Sequence, residues 1–342
     1  MAIINVTPQT NISSLIASDD VNEGDVLLLE EGIYNQTVIT FKSNIRIVAK
    51  GPGVIFDGNN SFFTAFTLSG VTGVAIEGIT IRHYTADGVL IFSGSGNRII
   101  NNKMIMLGDG IQIRGSNSNL VWRNEICDCT NGVIFTLGST NNWIIENTVR
   151  DCSGNAFFPL SSADSNNSYI FNIAIGNRNS GLNILGSNNL LLYNLLVDNG
   201  QGIMINDGSN SVAIGNFIKD TGSTGQNIAG GYVNYFAGDN IVRCSGRTGI
   251  QSTSQFGMFL NNEISYNRDN GISLGSASSG NLVMDNKLRC NIPENIVDSS
   301  TNNNFIDNMD KPCEPCESPT EVCRNCWDEM DFKEITRNRF RK

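Results

Sequence analysis

The chain has 342 residues, among them 48 Asn and 35 Gly, but only 16% charged residues and a single His. At 40% hydrophobic it can bury a sizeable core, while the excess of Asn and Gly argues against helical bundles and coiled coils. A net charge of −10 removes the electrostatic basis for holding a nucleic-acid backbone or an anionic membrane surface, and one His excludes His dyads and His-rich zinc sites.

Near the N-terminus no basic segment or apolar signal-peptide region is present, and no apolar run approaches the roughly 20 residues of a bilayer span. The expectation is a chain without membrane insertion, cytoplasmic as synthesised or carried into a surface assembly by another route. The segment TNISSLIASDD predicts a short helix with Thr10 or Asn11 as cap and Ile12, Leu15 and Ile16 on one apolar face, suited to plug the first coil. Apolar strands broken at Gly follow, in GDVLLLEEGIYNQTVITF and SNIRIVAKGPGVIFDGNN. This places a cap helix and first strands in residues 1–40 and a regular repeat in 41–310.

The repeat is marked by Asn102, Asn124, Asn147, Asn172, Asn194, Asn216, Asn240, Asn262, Asn286 and Asn308, spaced 22 to 25 residues apart. Each unit holds short strands of alternating pattern separated by Gly, Asn, Asp and Ser, and none is large enough to fold alone. Three short strands per unit and no helix predict an all-β fold, a parallel β-helix of about ten to eleven coils. Its crossovers should be right-handed, and the Asn column should stack as a hydrogen-bonded ladder along the axis. Cys129 and Cys152 fall at equivalent positions and are expected as buried thiols.

The cap helix, the G-D-V-L-L-L-x-x-G-x-Y-N opening and the N-x-I…G-I-x-I coils resemble right-handed parallel β-helix repeat proteins of the pectate-lyase-like superfamily, nearest the NosD-type repeats grouped as carbohydrate-binding and sugar-hydrolase modules. The resemblance covers about residues 10–310. It implies the fold and a polysaccharide or surface glycan as partner, but it fixes no activity, since such repeats occur in lyases, hydrolases, epimerases, tailspikes and inert surface proteins. The family's catalytic signatures, Gly-His-Gly with Arg-Ile-Lys, Asp-Pro-His, and R-x-P-x-x-R, are absent from the chain.

Chemistry on such a rod belongs to an outward strand row. On the G-I-x-I strand that row holds Leu90, Gln112, Ile134, Asn183, Met204, Gln251 and Ser273, so Gln112, Asn183, Gln251 and Ser273 are candidate substrate-binding residues. Asp87 and Asp109 each precede the Gly that opens this strand and lie 22 apart. On adjacent coils their carboxyl groups would be roughly 5 Å apart, a spacing that suits an acid beside a base. His83 and Arg114 complete this candidate catalytic set. The competing reading makes Asp before Gly ordinary turn chemistry, with Asn131, Asn155 and Asn270 in the same place in other coils.

Residues 311–342 form a Cys-rich tail. Cys313, Cys316, Cys323 and Cys326 give C-x2-C-x6-C-x2-C, the ligand set of a structural zinc ion, with disulfides and free thiols as alternatives. The last stretch, WDEMDFKEITRNRFRK, reads as a helix that caps the final coil or docks on a partner. Three functions compete at this level. The first is a β-helix surface or carbohydrate-binding rod, and the second a polysaccharide-acting hydrolase, lyase or epimerase using Asp87 and Asp109. The third is a subunit of a spore or virion surface, or a homo-oligomer, joined through the tail.

Overall fold

The computed structural model describes residues 1–229, 232–300 and 302–311. Within them the chain winds into three parallel sheets. Sheet A has 14 strands, from Ile3–Val6 to Asn304–Ile306; sheet B has 13, from Gly32–Tyr34 to Met309–Lys311; sheet C has 12, from Val38–Thr40 to Ile296–Asp298. Strands pair with their equivalents one coil away, as Ile99 lies opposite Val121 and Val121 opposite Ile144. The strands before residue 40 join the same sheets as the rest.

The result is a parallel β-solenoid of about thirteen turns, more than the ten or eleven expected. The difference lies at the N-terminal end, where the bend carries other residues than Asn. By register Val54 and Ile79 stand in the place that Asn102 takes before Lys103–Ile105. At about 4.8 Å per turn the rod is about 60 Å long.

Inside, the alternate strand residues are mostly apolar and sealed from solvent, so Ile99, Val121, Ile144, Tyr169 and Leu191 stack along sheet A, with Gln226 and Ser252 of sheet C as buried polar exceptions. The Asn column from Asn102 to Asn308 is an unbroken ladder. Each Nδ2 donates to the Oδ1 of the next Asn at 2.9–3.1 Å, and each Oδ1 also accepts the backbone N–H of the Asn one coil earlier. The residue before the ladder Asn takes the left-handed conformation even where it is bulky, as at Arg123, Glu146, Phe171 and Tyr193. The ladder thus satisfies a polar group that a sharp inward bend would otherwise leave buried and unpaired. A second ladder, Asn97–Asn119–Asn142–Asn167, runs at the entry to sheet A.

The helix Ile12–Ala17 seals one end. Asn11 caps it through its side chain to the Ser14 N–H, and Ile12 and Ile16 enter the core. Ser13 Oγ accepts the N–H of Ile39 in the first strand of sheet C, so the helix covers that open edge. Cys129 and Cys152 are free and buried. Cys313, Cys316, Cys323 and Cys326 lie outside the described residues, as does the rest of the tail after Lys311. Among the described residues no helix is long and apolar enough to cross a membrane.

Candidate functional site

Asp87 and Asp109 open the six-residue strands Asp87–Phe92 and Asp109–Arg114 of sheet C and stand directly opposite each other. The glycine after each is needed for close approach rather than for a turn. A Cβ on Gly88 would lie 2.9 Å from Leu107 Cδ1, and one on Gly110 would lie 2.6 Å from Ile126 Cγ2. With the glycines turned to the interior, the carboxylates lie on the other side of the strand, in a polar column along the leading edge of the sheet.

That column is hydrogen-bonded on either side of the two acids. Thr64 donates to Asp87 at 3.3 Å and Asn131 Nδ2 to Asp109 at 2.9 Å. Asn131 Oδ1 then accepts the Asn155 N–H, and Asn155 Oδ1 the Ser180 N–H, with Gln201 opposite Ser180. Asp87 is 6% exposed. Burial, and next the charge of Asp109, push its pKa up to about 6, against the smaller pull of Thr64 and Arg114. Burial also raises Asp109, opposed by the Asn131 hydrogen bond. The two acids therefore do meet, Asp87 bonded to the coil before and Asp109 to the coil after.

The rest of the expected catalytic set is not assembled around them. His83, in the left-handed conformation, sets its Nδ1 3.1 Å from Asp57 Oδ1, and Arg82 Nε donates to Asp57 Oδ2 at 2.8 Å. Burial disfavours the Asp57 carboxylate, but the bonds from Asn59 N–H, His83 and Arg82 outweigh it and hold the group below the usual range. Arg114 stands at the far end of its strand, its guanidinium 5.5 Å from the Phe92 ring centre.

Gln112, Asn183, Gln251 and Ser273 share the outer row of sheet C, as the alternation predicts. The row runs Leu90, Gln112, Ile134, Phe158 and, beyond it, Asn183, Met204, Asn227, Gln251 and Ser273. They are not one cluster. Asn183 alone of the four lines a groove of about 600 Å³, walled by Phe158, Arg178 and Met204, with Asn155, Ser180 and Gln201 of the polar column along its side. Asn183 Oδ1 and Gln201 Oε1 are buried there without a hydrogen-bond partner. Arg178 is exposed and makes no ion pair among the described residues.

Sequence reasoning missed Phe158, Arg178 and Gln201. The signal was present as irregularity: this coil is the longest between two Asn of the ladder, 25 residues from Asn147 to Asn172, and reads GNAFFPL where the coil before it reads TNGVIFT. Ala156 replaces the close-approach glycine, and an aromatic ring takes the outward place.

A family model described as NosD, periplasmic copper-binding protein, matches residues 53–219. The described residues contain no group of three or more His, Cys, Asp or Glu placed to hold a metal ion, and the one His is given to Asp57, so they do not fit a copper centre. No curated protein matches the chain in sequence. Among solved structures, a PL6 family polysaccharide lyase from Pseudopedobacter saltans superposes with a TM-score of 0.71 at 13% identity, over 93% of this chain and 94% of that one. The DFA-IIIase of Arthrobacter chlorophenolicus A6 follows at 0.63 and 14%, over 89% and 94%. A periplasmic alginate epimerase gives 0.54 at 14%, over 91% and 84%. At such identities the likeness is one of fold. With its three parallel sheets and stacked Asn, the chain is a right-handed parallel β-helix, a fold it shares with these structures.

Proposed function

We propose that the outer face of sheet C binds a glycan, with the groove at Phe158, Asn183 and Gln201 as its principal subsite. The observation that carries this is the pair of buried, unpartnered amide oxygens in a groove beside an aromatic plate. An orphaned acceptor in a partly enclosed site costs about 1–3 kcal/mol, and a hydroxyl donor from a ligand would recover it. Phe158 offers the flat apolar face on which a sugar ring stacks. Among the described residues Arg178 is the single cation lining the groove, which suits a neutral, hydroxyl-rich chain better than a polyuronate. Of the enzymes named above, one is by its name a polysaccharide lyase and one an alginate epimerase, which supports the reading. On a glycan array, neutral glycans should bind in preference to polyuronates, and Phe158→Ala and Asn183→Ala should each weaken binding about tenfold or more. Retention of full affinity by both variants would remove the groove from the site.

A second reading has one specific support, the elevated pKa of Asp87 beside Asp109. The column places Asp109 two coils, about 10 Å, from Asn155 at the groove edge. A chain bound in the groove and running along the row would pass the acids, with Asp87 as proton donor and Asp109 as base or nucleophile. Turnover of the glycan that binds best, lost in Asp109→Asn while binding persists, is the expected result. Binding without turnover in the wild-type chain leaves the groove as a recognition site and assigns the acids to the column alone.

A further inference from the structure

The outer face of sheet A is free of charge over most of its length. In the ten consecutive strands from Arg98–Ile100 to Asn304–Ile306, the middle residues, such as Val121, Ile144 and Leu191, enter the core, so the first and third residues point outward. Between Arg98 and Asn304 the first outward row runs from Leu120 through Trp143, Leu190, Val212 and Met258 to Leu282, with Ser168 as its one hydroxyl. The second row, from Ile100 to Ile306, has no charged member. Trp143 is 48% and Met258 42% exposed. The Phe236 ring lies over Gly238, where a Cβ would stand 2.5 Å from Phe236 Cε1, so the face stays level. The outer face of sheet B is different, with Lys103 and Arg150 both paired to Glu125 there. An uninterrupted apolar stripe on a chain of net charge −10 marks an interaction surface.

We infer that a second copy of this chain packs on this face, the two rods running antiparallel. The two-fold axis relating them lies between the strands Leu190–Leu192 and Val212–Ile214 and runs along them. The size fits. Ten strands about 4.8 Å apart, each three residues of about 3.3 Å, make a face of about 48 by 10 Å, so two copies bury roughly 1,000 Å², where specific interfaces begin.

The side chains agree with a self-complementary contact. This axis sets each strand against the one equally far on its other side. Leu190 then meets Val212, Leu120 meets Leu282, and exposed Trp143 meets exposed Met258. Where bulk is uneven, small meets large: Ser168 lies against Phe236, and Gly238 against Ile170. Arg98 meets the neutral Asn304. At the margin, in the turn before the Asn ladder, Arg123 keeps its Nε on Glu146 of its own copy and faces Asp285 of the other. No like charges are opposed along that turn, the arrangement expected at the rim of a specific interface. The contact leaves the outer face of sheet C open in both copies.

The test uses the full chain under reducing conditions, so that thiols cannot join copies. Sedimentation equilibrium should show a monomer–dimer equilibrium below about 100 µM. Trp143→Glu should weaken the dimer about a hundredfold or more. Arg123→Asp and Asp285→Arg should each weaken it about tenfold, and the two combined in one chain should restore affinity to within about threefold. If Trp143→Glu does not fold, this rim pair decides. A wild-type chain still monomeric at about 100 µM overturns the proposal, and a monomer that an insoluble glucan retains through Trp143 would give the face to a polymer instead. A dimer that folded Trp143→Glu leaves intact is held by another surface and overturns it too. Failure of the double swap to restore the dimer overturns the antiparallel register.

Discussion

At the scale of single residues, Asp87 is where the fold works against itself. Burial and the neighbouring Asp109 raise its pKa from the ordinary 3.8 to about 6. A raised carboxyl pKa contributes stability that is fully present below about pH 4 and is lost as pH rises through 6, because the folded chain then holds an ion it disfavours. The shift corresponds to about 3 kcal/mol. Asp87→Asn, which keeps an oxygen for Thr64, is therefore expected to raise the urea midpoint at pH 7 and to flatten its dependence between pH 4 and 7. An unchanged pH profile in the variant would mean that Asp87 titrates normally. The pairing of these acids was legible in sequence because 22 residues is one coil. The partner of His83 was not, since Asp57 lies 26 residues back, in the N-terminal coils where no Asn column yet marks the period.

At the scale of the element, the bend before sheet B decides the fold, and Asn194 shows why. Its Nδ2 donates to Tyr169 O and Asn216 Oδ1, both at 2.9 Å, and its Oδ1 accepts the Asn172 N–H and side-chain amide at 2.9 and 3.1 Å. Asn194→Ala strands several of these groups in a dry interior, at a cost of about 3 kcal/mol or more. Asn194→Asp is expected to be at least as damaging, because it can supply the acceptor but only a buried charge in place of the donor. Chemical denaturation of both variants measures this, and a loss below about 1 kcal/mol would make the ladder a decoration of a bend held by its backbone. The period of the Asn column made this element legible. What escaped was the 25-residue coil, where Phe158 stands in the outward row and walls the groove. A repeat reveals its architecture through regularity and its candidate site through the break in that regularity.

At the scale of the whole molecule, each coil meets only its neighbours, so stability is a chain of nearest-neighbour couplings closed by two unlike ends. The N-terminal end is covered: the helix Ile12–Ala17 puts Ile12 and Ile16 into the core, and Tyr34, Phe56 and Phe66 stack beneath it with ring centres 4.8 and 4.5 Å apart. Among the described residues the other end is open, with Phe305, Ile306 and Met309 38%, 44% and 48% exposed in the last strands of sheets A and B. Opening is therefore expected to start at the last coils and run toward the helix. In native-state hydrogen exchange the backbone amides of Asn286 and Met309 should open at lower free energy than those of Asn216 and Asn240, and these no more easily than those of Asn102 and Asn124. Asn194→Ala, in mid-rod, should split this gradient into two steps, leaving the helix-capped coils protected while those after Asn216 exchange together. If all coils instead open at one free energy in both chains, the continuous apolar interior and not the ladder carries the coupling, and the rod unfolds as a single unit despite its repeats.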